Sequence, residues 1–343
     1  MFIDAPEISD VTPDLKSYER IVIAFSGGKD SLGALLHVVE LLQAENIDLS
    51  RVELHHHDVD GEGEVFMDWA VTKDYCQKVA DHFGLPIYFS CKVGGFQREM
   101  LRDGEATAPI RFEVPTENGK AVVYSGGKGN PGTRLKFPQL SADLATRWCS
   151  GYLKIDVMAA LIRNQERFYD GKTLVITGER AEESPARSRY LKMERHRTDL
   201  RDSKTKPRHV DHWRPIHGWS EKEIWAIIKR FGIVPHVAYQ LGWSRLSCMA
   251  CIFGSPNQWA TILHVFRERF ERIANLESSF GVTIRRSETI RQTAAKGAPY
   301  PAALANPHLV ELANGEEWTL PIAVSLEEWV LPAGAFGENA GPT

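Results

Sequence analysis

The sequence predicts an α/β fold built on a doubly wound, mostly parallel sheet, and three observations carry that reading. Ile21 to Phe25 is a run of apolar residues of the length and β-branched bias of a strand buried on both faces. A glycine turn follows, and then an apolar stripe at helical spacing: Leu32, Leu35, Leu36, Val39 and Leu42. Further strands and helices then alternate, which is the pattern of parallel strands joined by crossover helices. The third observation is size and composition. At 343 residues, 43% apolar and 25% charged, the chain supports one large α/β domain with an appended subdomain.

The elements follow in order. Residues 1–19 read as a polar lead-in. Val52 to His57 is a second strand, and a helix whose apolar face holds Phe66, Trp69, Cys76, Val79, Ala80 and Phe83 stops at Gly84 and Pro86. Ile87 to Cys91 is a third strand. From Gly94 to Ser141 the regular pattern stops in glycine- and proline-rich sequence, read as a long loop or lid. Within it Ser125-Gly126-Gly127-Lys128-Gly129 echoes the first glycine turn, without its aspartate or its helix. A helix covers much of Asp143 to Phe168, with a break near Trp148–Gly151. Thr173 to Thr177 is the fourth strand. Ser220 and Glu223 form a capping box before the apolar face of Ile224, Trp225, Ile227, Ile228 and Phe231. One more amphipathic helix carries Trp259, Ile262, Leu263, Phe266, Phe270 and Ile273. Beyond Pro299 periodicity fades into a tail. The division expected is a body over 20–245 and a C-terminal extension, helical and irregular, over 246–343.

Totals exclude several classes. A net charge of −4 offers no global basic field for nucleic acid. No apolar run approaches a membrane span. The acidic start MFIDAPEISD lacks a signal-peptide pattern, so a cytoplasmic chain is expected. Five cysteines in a reducing compartment favour metal or catalytic thiols over disulfides.

The chemistry concentrates in Ser26-Gly27-Gly28-Lys29-Asp30-Ser31. Glycines at a strand–helix turn bring backbone N–H groups to an oxyanion, and the helix start adds unpaired donors and the positive end of its dipole. Lys29 supplies charge, Ser26 and Ser31 supply hydroxyls, and Asp30 is the candidate to hold Mg²⁺ between phosphates. The spacing is neither the Walker loop nor the G-x-G-x-x-G turn. Cys149, Cys248 and Cys251 are the second group. A C-x-x-C turn clamps metals, and three thiolates suit a 4Fe–4S cluster with one open iron. A zinc site completed by histidine, and redox-active or merely buried thiols, are the alternatives. Cys76 and Cys91 read as core. His55 to Asp58 ends the second strand, and His57 and Asp58 are candidate nucleotide or magnesium contacts. Residues 187–208 carry nine Lys/Arg against three acids, a candidate surface for a nucleic-acid backbone or one anionic nucleotide, with a solvated surface as the alternative.

The SGGKDS loop resembles that of the N-type ATP pyrophosphatases, the PP-loop superfamily. Four more segments are similar to its phosphoadenosine phosphosulfate (PAPS) reductase-like family: Arg147–Lys154 (RWCSGYLK), TGERAEES at 177–184, WRPIHGWSEKEIW at 213–225 and GWSRLSCMAC at 242–251. The resemblance implies five parallel strands of order 3-2-1-4-5, the adenine nucleotide α-hydrolase-like arrangement, with ATP across their carboxyl edge. It implies active-site roles for Gly178, Arg180, Glu182, Ser184 and Arg187, with the arginines clamping phosphates. RWCSGYLK together with CMAC is most similar to the ATP pyrophosphatase subunit of DNA phosphorothioation systems. That similarity implies AMP-forming sulfur transfer fed by a sulfur donor such as a cysteine desulfurase. Two departures count against PAPS or adenylyl sulfate reduction: no cysteine follows Cys251, and Trp148-Cys149 stands where cluster-bearing reductases have a Cys-Cys pair. A nucleotide-sensing module with structural zinc is the reading from another class.

Overall fold

A computed structural model describes residues 12–141 and 143–337. Most of the expected lead-in, residues 1–11, lies outside the described residues. Leu15 and Tyr18, also assigned to it, are buried in the main core instead.

The sheet is organised around β1 (Arg20–Ala24), β2 (Val52–Asp58), β3 (Ile87–Lys92), β6 (Lys172–Ile176) and β8 (His209–Trp213). These five run parallel, in the spatial order β3-β2-β1-β6-β8. Renumbered among themselves they give 3-2-1-4-5. The strand order reverses beside β1, so the carboxyl end of β1 opens onto a crevice where α/β sheets bind ligands. Ile21, Val22 and Ile23 are fully buried, as a central strand covered on both faces requires.

The complete sheet has eight strands, and this corrects the expected five. The region read as a long loop holds α3 (Gly95–Leu101) and a hairpin of β4 (Pro109–Thr116) and β5 (Gly119–Gly126), added antiparallel to β3. Alternation decides it: Ile110 and Phe112 turn inward while Arg111 and Glu113 turn out, a period of two that the flanking prolines and glycines mask. At the opposite edge β7 (Met193–Arg195) pairs antiparallel with β8. The SGGK echo ends β5 and heads no helix.

Helices cover both faces. α1 (Lys29–Ala44) packs beside α6 (Glu221–Arg230), which starts at the expected Ser220–Glu223 capping box. α2 (Thr72–His82) begins later than its apolar stripe suggests. The buried Asp60 Oδ2 accepts the backbone N–H groups of Phe66, Met67 and Asp68, each at 2.8 Å, and holds them out of a helix. The helix expected after Asp143 is α4 (Trp148–Ser150), a π-turn (Gly151–Ile155) and α5 (Asp156–Arg163). π-turns of this kind gather at functional sites.

The stripe from Trp259 to Ile273 spans two helices, with α7 (Val237–Gln240) preceding them. α8 (Pro256–Val265) and α9 (Arg267–Phe280) break at Phe266, whose φ of −127° and ψ of 49° are not helical. The tail carries α10 (Ile290–Ala294), α11 (Pro301–Ala305) and α12 (Pro307–Asn314), and it packs back on the body. Trp318 is buried with its N–H on Asp74 at 2.7 Å, and Trp329 Nε1 donates to the Ile233 carbonyl at 2.8 Å. Residues from Leu15 to Trp329 share one main core. No helix among the described residues is long and apolar enough to cross a membrane.

Candidate functional site

The Ser26–Ser31 loop joins β1 to α1 at the switch point. Gly27 holds φ at +76°, a region that costs other residues about 1–2 kcal/mol, and a Cβ there would lie 3.0 Å from Cys76 Sγ. Gly28 caps α1 with no side-chain bond, as a helix end that accepts an outside anion requires. Within the loop, Ser31 Oγ donates to the Gly28 carbonyl at 3.0 Å and accepts from Ser26 N at 3.3 Å. Ser26 Oγ accepts from Gly28 N at 3.4 Å, and the Tyr239 hydroxyl accepts from Lys29 N at 2.8 Å. Hydroxyl groups thus occupy loop donors that an oxyanion can take over.

The charged residues of the loop face partners of the chain itself. Lys29 is 3% exposed, and its Nζ donates to the Ser244 carbonyl at 2.7 Å with Glu221 at 3.6 Å. Asp30 accepts from Arg180 Nε at 2.6 Å, and Arg180 reaches Glu182 at 2.5 Å. Burial alone would disfavour the Arg180 charge; Asp30, Glu182 and Glu183 more than offset it. The segment after β6 can approach α1 because residue 178 is glycine: a Cβ there would sit 2.5 Å from the Asp30 carbonyl oxygen. Ser184 Oγ accepts from Arg187 N at 3.2 Å, and Arg187 pairs with Glu183. Glu183 also takes Arg245 at 3.2 Å. Asp30, the residue expected to place Mg²⁺, already neutralises a guanidinium, so a divalent cation there competes with Arg180.

The segment carrying Ser244, Leu246 and the C-x-x-C turn links this loop to the thiols. A Cβ on Gly28 would lie 3.3 Å from Leu246 Cβ, and Tyr239 Oη also accepts from Leu246 N at 3.1 Å. Beyond it, Cys251 N donates to the Cys248 carbonyl at 3.1 Å, and Ala250 N to Met67 at 3.0 Å. Cys149 stands on α4 across from this turn. Burial pushes its thiol up to about 11, and the charge of Cys251 adds to the effect. Burial and Asp68 raise Cys248 well above the usual thiol range. At Lys154 of the π-turn burial opposes the charged form, and Cys248, Asp68, Cys149 and Cys251 more than offset it. The thiol set has the chemistry of an iron or zinc site; no group of three or more His, Cys, Asp or Glu that could hold a metal ion is found among the described residues. Cys76 and Cys91 are buried, as expected of core thiols.

The end of β2 divides by alternation. His57 Nδ1 bonds Ser90 Oγ at 2.7 Å, while its Nε2 is buried without a partner among the described residues. Desolvation pushes its pKa well below the ordinary histidine value, so the ring is neutral at pH 7. His56 and Asp58 turn to the other face and line a cavity of about 420 Å³ with Asp60, Asp68, Trp69, Lys73 and Phe89. Burial and the charge of Asp60 push Asp58 up to about 6. None of Ser26 to Ser31 lines this cavity, so Asp58 is separated from the loop it was grouped with.

Part of the basic run 187–208 is neutralised within the fold. Arg187 holds Glu183, Arg195 holds Asp202 at 2.5 Å, Arg197 faces Asp156 at 3.6 Å, and Arg201 holds Asp199 and Asp211. Arg208 is 2% exposed with its Nε on the Thr198 carbonyl. Arg189, Lys192, Lys204 and Lys206 have no carboxylate partner among the described residues. Sequence reasoning named Glu183 with the segment after the fourth strand but missed Glu179, Arg214 and Tyr239 as parts of the network. Glu179 and Glu183 lie within the quoted TGERAEES segment, whereas nothing near Tyr239 signals its role.

Residues 137–253 match the phosphoadenosine phosphosulfate reductase domain, about a third of the chain. An Escherichia phage 186 protein described as an uncharacterized 37.8 kDa protein in the gpa 5′ region is 34% identical over 285 residues, covering 78% of this chain and 77% of its own. Among solved structures, Candida glabrata FMN adenylyltransferase aligns at a TM-score of 0.37 with 11% identity, over 68% of this chain and 54% of that one. Its complex with ATP aligns at 0.36 with 10% identity, over 68% and 53%. The chain spans about half the length of these structures, and likenesses so distant bear on neither ligand nor chemistry.

Proposed function

The chain belongs to the phosphoadenosine phosphosulfate reductase-like family of the PP-loop superfamily, and on that premise we propose that it is an AMP-forming, ATP-dependent sulfurtransferase. One observation carries the reading: a single segment, 244–251, packs on the SGGKDS loop at one end and ends in the Cys248–Cys251 turn, whose Cys251 acts electrostatically on Cys149. An anion cradle and a thiol group on one short segment suit activation followed by sulfur delivery.

In this reading the Ser26–Ser31 backbone and Ser31 Oγ receive the pyrophosphate portion of ATP. Arg180 and Arg187 exchange Asp30 and Glu183 for phosphate oxygens, which places positive charge where negative charge develops. An acceptor oxygen attacks the α-phosphorus, pyrophosphate leaves, and the acceptor carries AMP as its leaving group. A persulfide on Cys149, loaded by a donor of the cysteine desulfurase class, displaces AMP through its terminal sulfur. A thiol of Cys248 or Cys251 then attacks the Cys149 sulfur, releasing the thiolated acceptor and leaving a disulfide, which an external dithiol reduces. Lys154 favours the thiolate forms these steps need. A 4Fe–4S cluster would supply an open iron to carry hydrosulfide, and zinc would serve structure alone; the three cysteines are the residues either would bind, and neither enters the steps above. The acceptor class favoured is nucleic acid, through Arg189, Lys192, Lys204 and Lys206.

The test is pyrophosphate release from ATP with tRNA, DNA or small acceptors and a persulfide source (a cysteine desulfurase with cysteine), alongside iron, zinc and sulfide analysis after anaerobic purification. Acceptor-dependent release with thiolated product supports the reading. Thioredoxin-dependent sulfite release from PAPS without ATP cleavage would replace it with sulfonucleotide reduction. Stoichiometric zinc with neither activity would replace it with a nucleotide sensor.

A further inference from the structure

The insertion between β3 and α4 carries a second concentration of positive charge, outside the family match that begins at residue 137. Lys92 ends β3, Arg102 follows α3, and Arg134 lies on the strand-like return after the hairpin. Their backbones are fixed side by side: Arg134 N donates to the Arg102 carbonyl at 2.7 Å, and Gly132 N to the Glu105 carbonyl at 2.9 Å. The Arg134 guanidinium lies over the rings of Trp148 and Tyr152 at 4.3 and 4.7 Å, and Lys92 Nζ lies 5.1 Å from the Tyr152 ring. Aromatic faces therefore hold Arg134 and Lys92, and Lys92 Nζ also donates to Thr107 Oγ1 at 3.0 Å and to the Ala108 carbonyl at 3.4 Å.

Their neutralisation is incomplete. Glu99 is fully buried and spends Oε1 on Thr107 Oγ1 and Ala108 N, at 2.7 and 2.9 Å. Its Oε2 stands 3.7 Å from Arg134, without a hydrogen bond, and Arg98 competes for the same carboxylate at 3.6 Å. Asp156 acts on Lys92 from further off and is engaged with Arg197 at 3.6 Å. The Nε atoms of Arg102 and Arg134 are buried without a hydrogen-bond partner among the described residues, and the Arg134 side chain is only 8% exposed. Buried donors of this kind are normally paired, so the arrangement calls for an acceptor beyond the described residues. Burial and mutual repulsion lower the pKa of both Lys92 and Arg134, consistent with a missing anion.

We propose that Lys92, Arg102 and Arg134 form a binding site for a tetrahedral oxyanion, a phosphate or sulfate group, at the carboxyl end of β3. Guanidinium forks match two oxygens of such a group, and the ammonium adds a point charge. The site opens at the same sheet edge as the SGGKDS loop but shares no residue with it, and it stands whether or not that loop binds ATP. The oxyanion is either a free ion or a phosphate group of a nucleotide.

Isothermal titration of the full-length protein with inorganic phosphate, and separately sulfate, at constant ionic strength set with chloride, tests the site. Binding is expected in the wild type, retained in Ser31→Ala and weakened roughly tenfold or more in Arg102→Gln, the half-exposed member whose loss spares the aromatic stack. Arg134→Gln is expected to do the same, with circular dichroism to confirm folding. No binding by the wild type, equal binding by Arg102→Gln, or loss of binding in Ser31→Ala would each overturn the proposal. Competition with adenosine 3′,5′-bisphosphate identifies the source. Displacement of phosphate that Arg102→Gln weakens supports a nucleotide phosphate, and phosphate binding without displacement supports a free ion.

Discussion

The two ends of β2 lie at similar depth in one strand and treat their charges in opposite ways. At the amino end Glu53 accepts two hydrogen bonds from Arg167, at 2.6 and 2.9 Å, and one contact from His55 at 3.0 Å. Burial there works to raise the carboxyl pKa, yet those partners pull it down to about 2. At the carboxyl end burial and the like charge of Asp60 outweigh two backbone N–H groups and the charge of Lys73, and the Asp58 pKa rises to about 6. His57 Nε2 and Asp60 Oδ1 there have no hydrogen-bond partner among the described residues. One end is closed by fixed side chains. The other holds polar groups whose complement lies outside the described residues, which is the mark of the ligand-binding edge of such a sheet.

Glu53→Gln breaks the comparison most strongly. It leaves Arg167 without its anion in a mostly buried pair, with an expected loss of about 3–5 kcal/mol in urea unfolding. Arg180→Gln attacks the carboxyl edge at the nucleotide loop and is expected to lower pyrophosphate release about 100-fold, with far less effect on stability. If both substitutions chiefly reduced stability, the distinction between the ends would fail.

The two carboxyl groups also predict opposite pH dependences. A carboxyl held low in the fold, as Glu53 is, stabilises above its unfolded pKa of 4.5, and that contribution is lost as pH falls toward 2. A carboxyl raised in the fold, as Asp58 is, stabilises below its unfolded pKa of 3.8, and that contribution is lost as pH rises through 6. Chemical denaturation between pH 4 and 8 should therefore show about 1–2 kcal/mol lost from Asp58 in its partly open setting, and Asp58→Asn should flatten that slope. The smallest effect is on stability itself: at pH 8 Asp58→Asn should raise it by about 1–2 kcal/mol, the ionisation penalty it removes, whereas Glu53→Gln remains severe. Cys149→Ser separates the two halves of the proposed reaction. Pyrophosphate release should persist, and thiolated product should vanish from a mass-spectrometric assay.

Much of the fold is legible in the chain because its signals are local. The β1 run, the Ser220–Glu223 capping box and the alternation of strands with helices each depend on near neighbours. The hairpin of β4 and β5 was legible in principle, through Ile110, Phe112, Val122 and Tyr124, but composition obscured it. The start of α2 was not legible, because a carboxylate at residue 60 takes backbone donors at 66–68 that an amphipathic pattern would assign to a helix. Candidate site residues came from their types and spacing. Their pairings did not: no pattern announces that Asp30 holds Arg180, or that Lys29 turns inward to Ser244.

The sequence by itself determined four strands alternating with helices and the glycine loop between the first strand and its helix, since these rest on periodicity and on motifs short enough to read along the chain. The 3-2-1-4-5 order came with the family resemblance that those motifs carry. Tertiary structure alone decided which charges are neutralised and which remain open. Arg187, Arg195, Arg197 and Arg201 of the basic run proved to be paired, while Arg102 and Arg134, unremarkable in sequence, were brought together with donors to spare. Electrostatic complementarity depends on distance in space across hundreds of intervening residues, and only folding sets those distances.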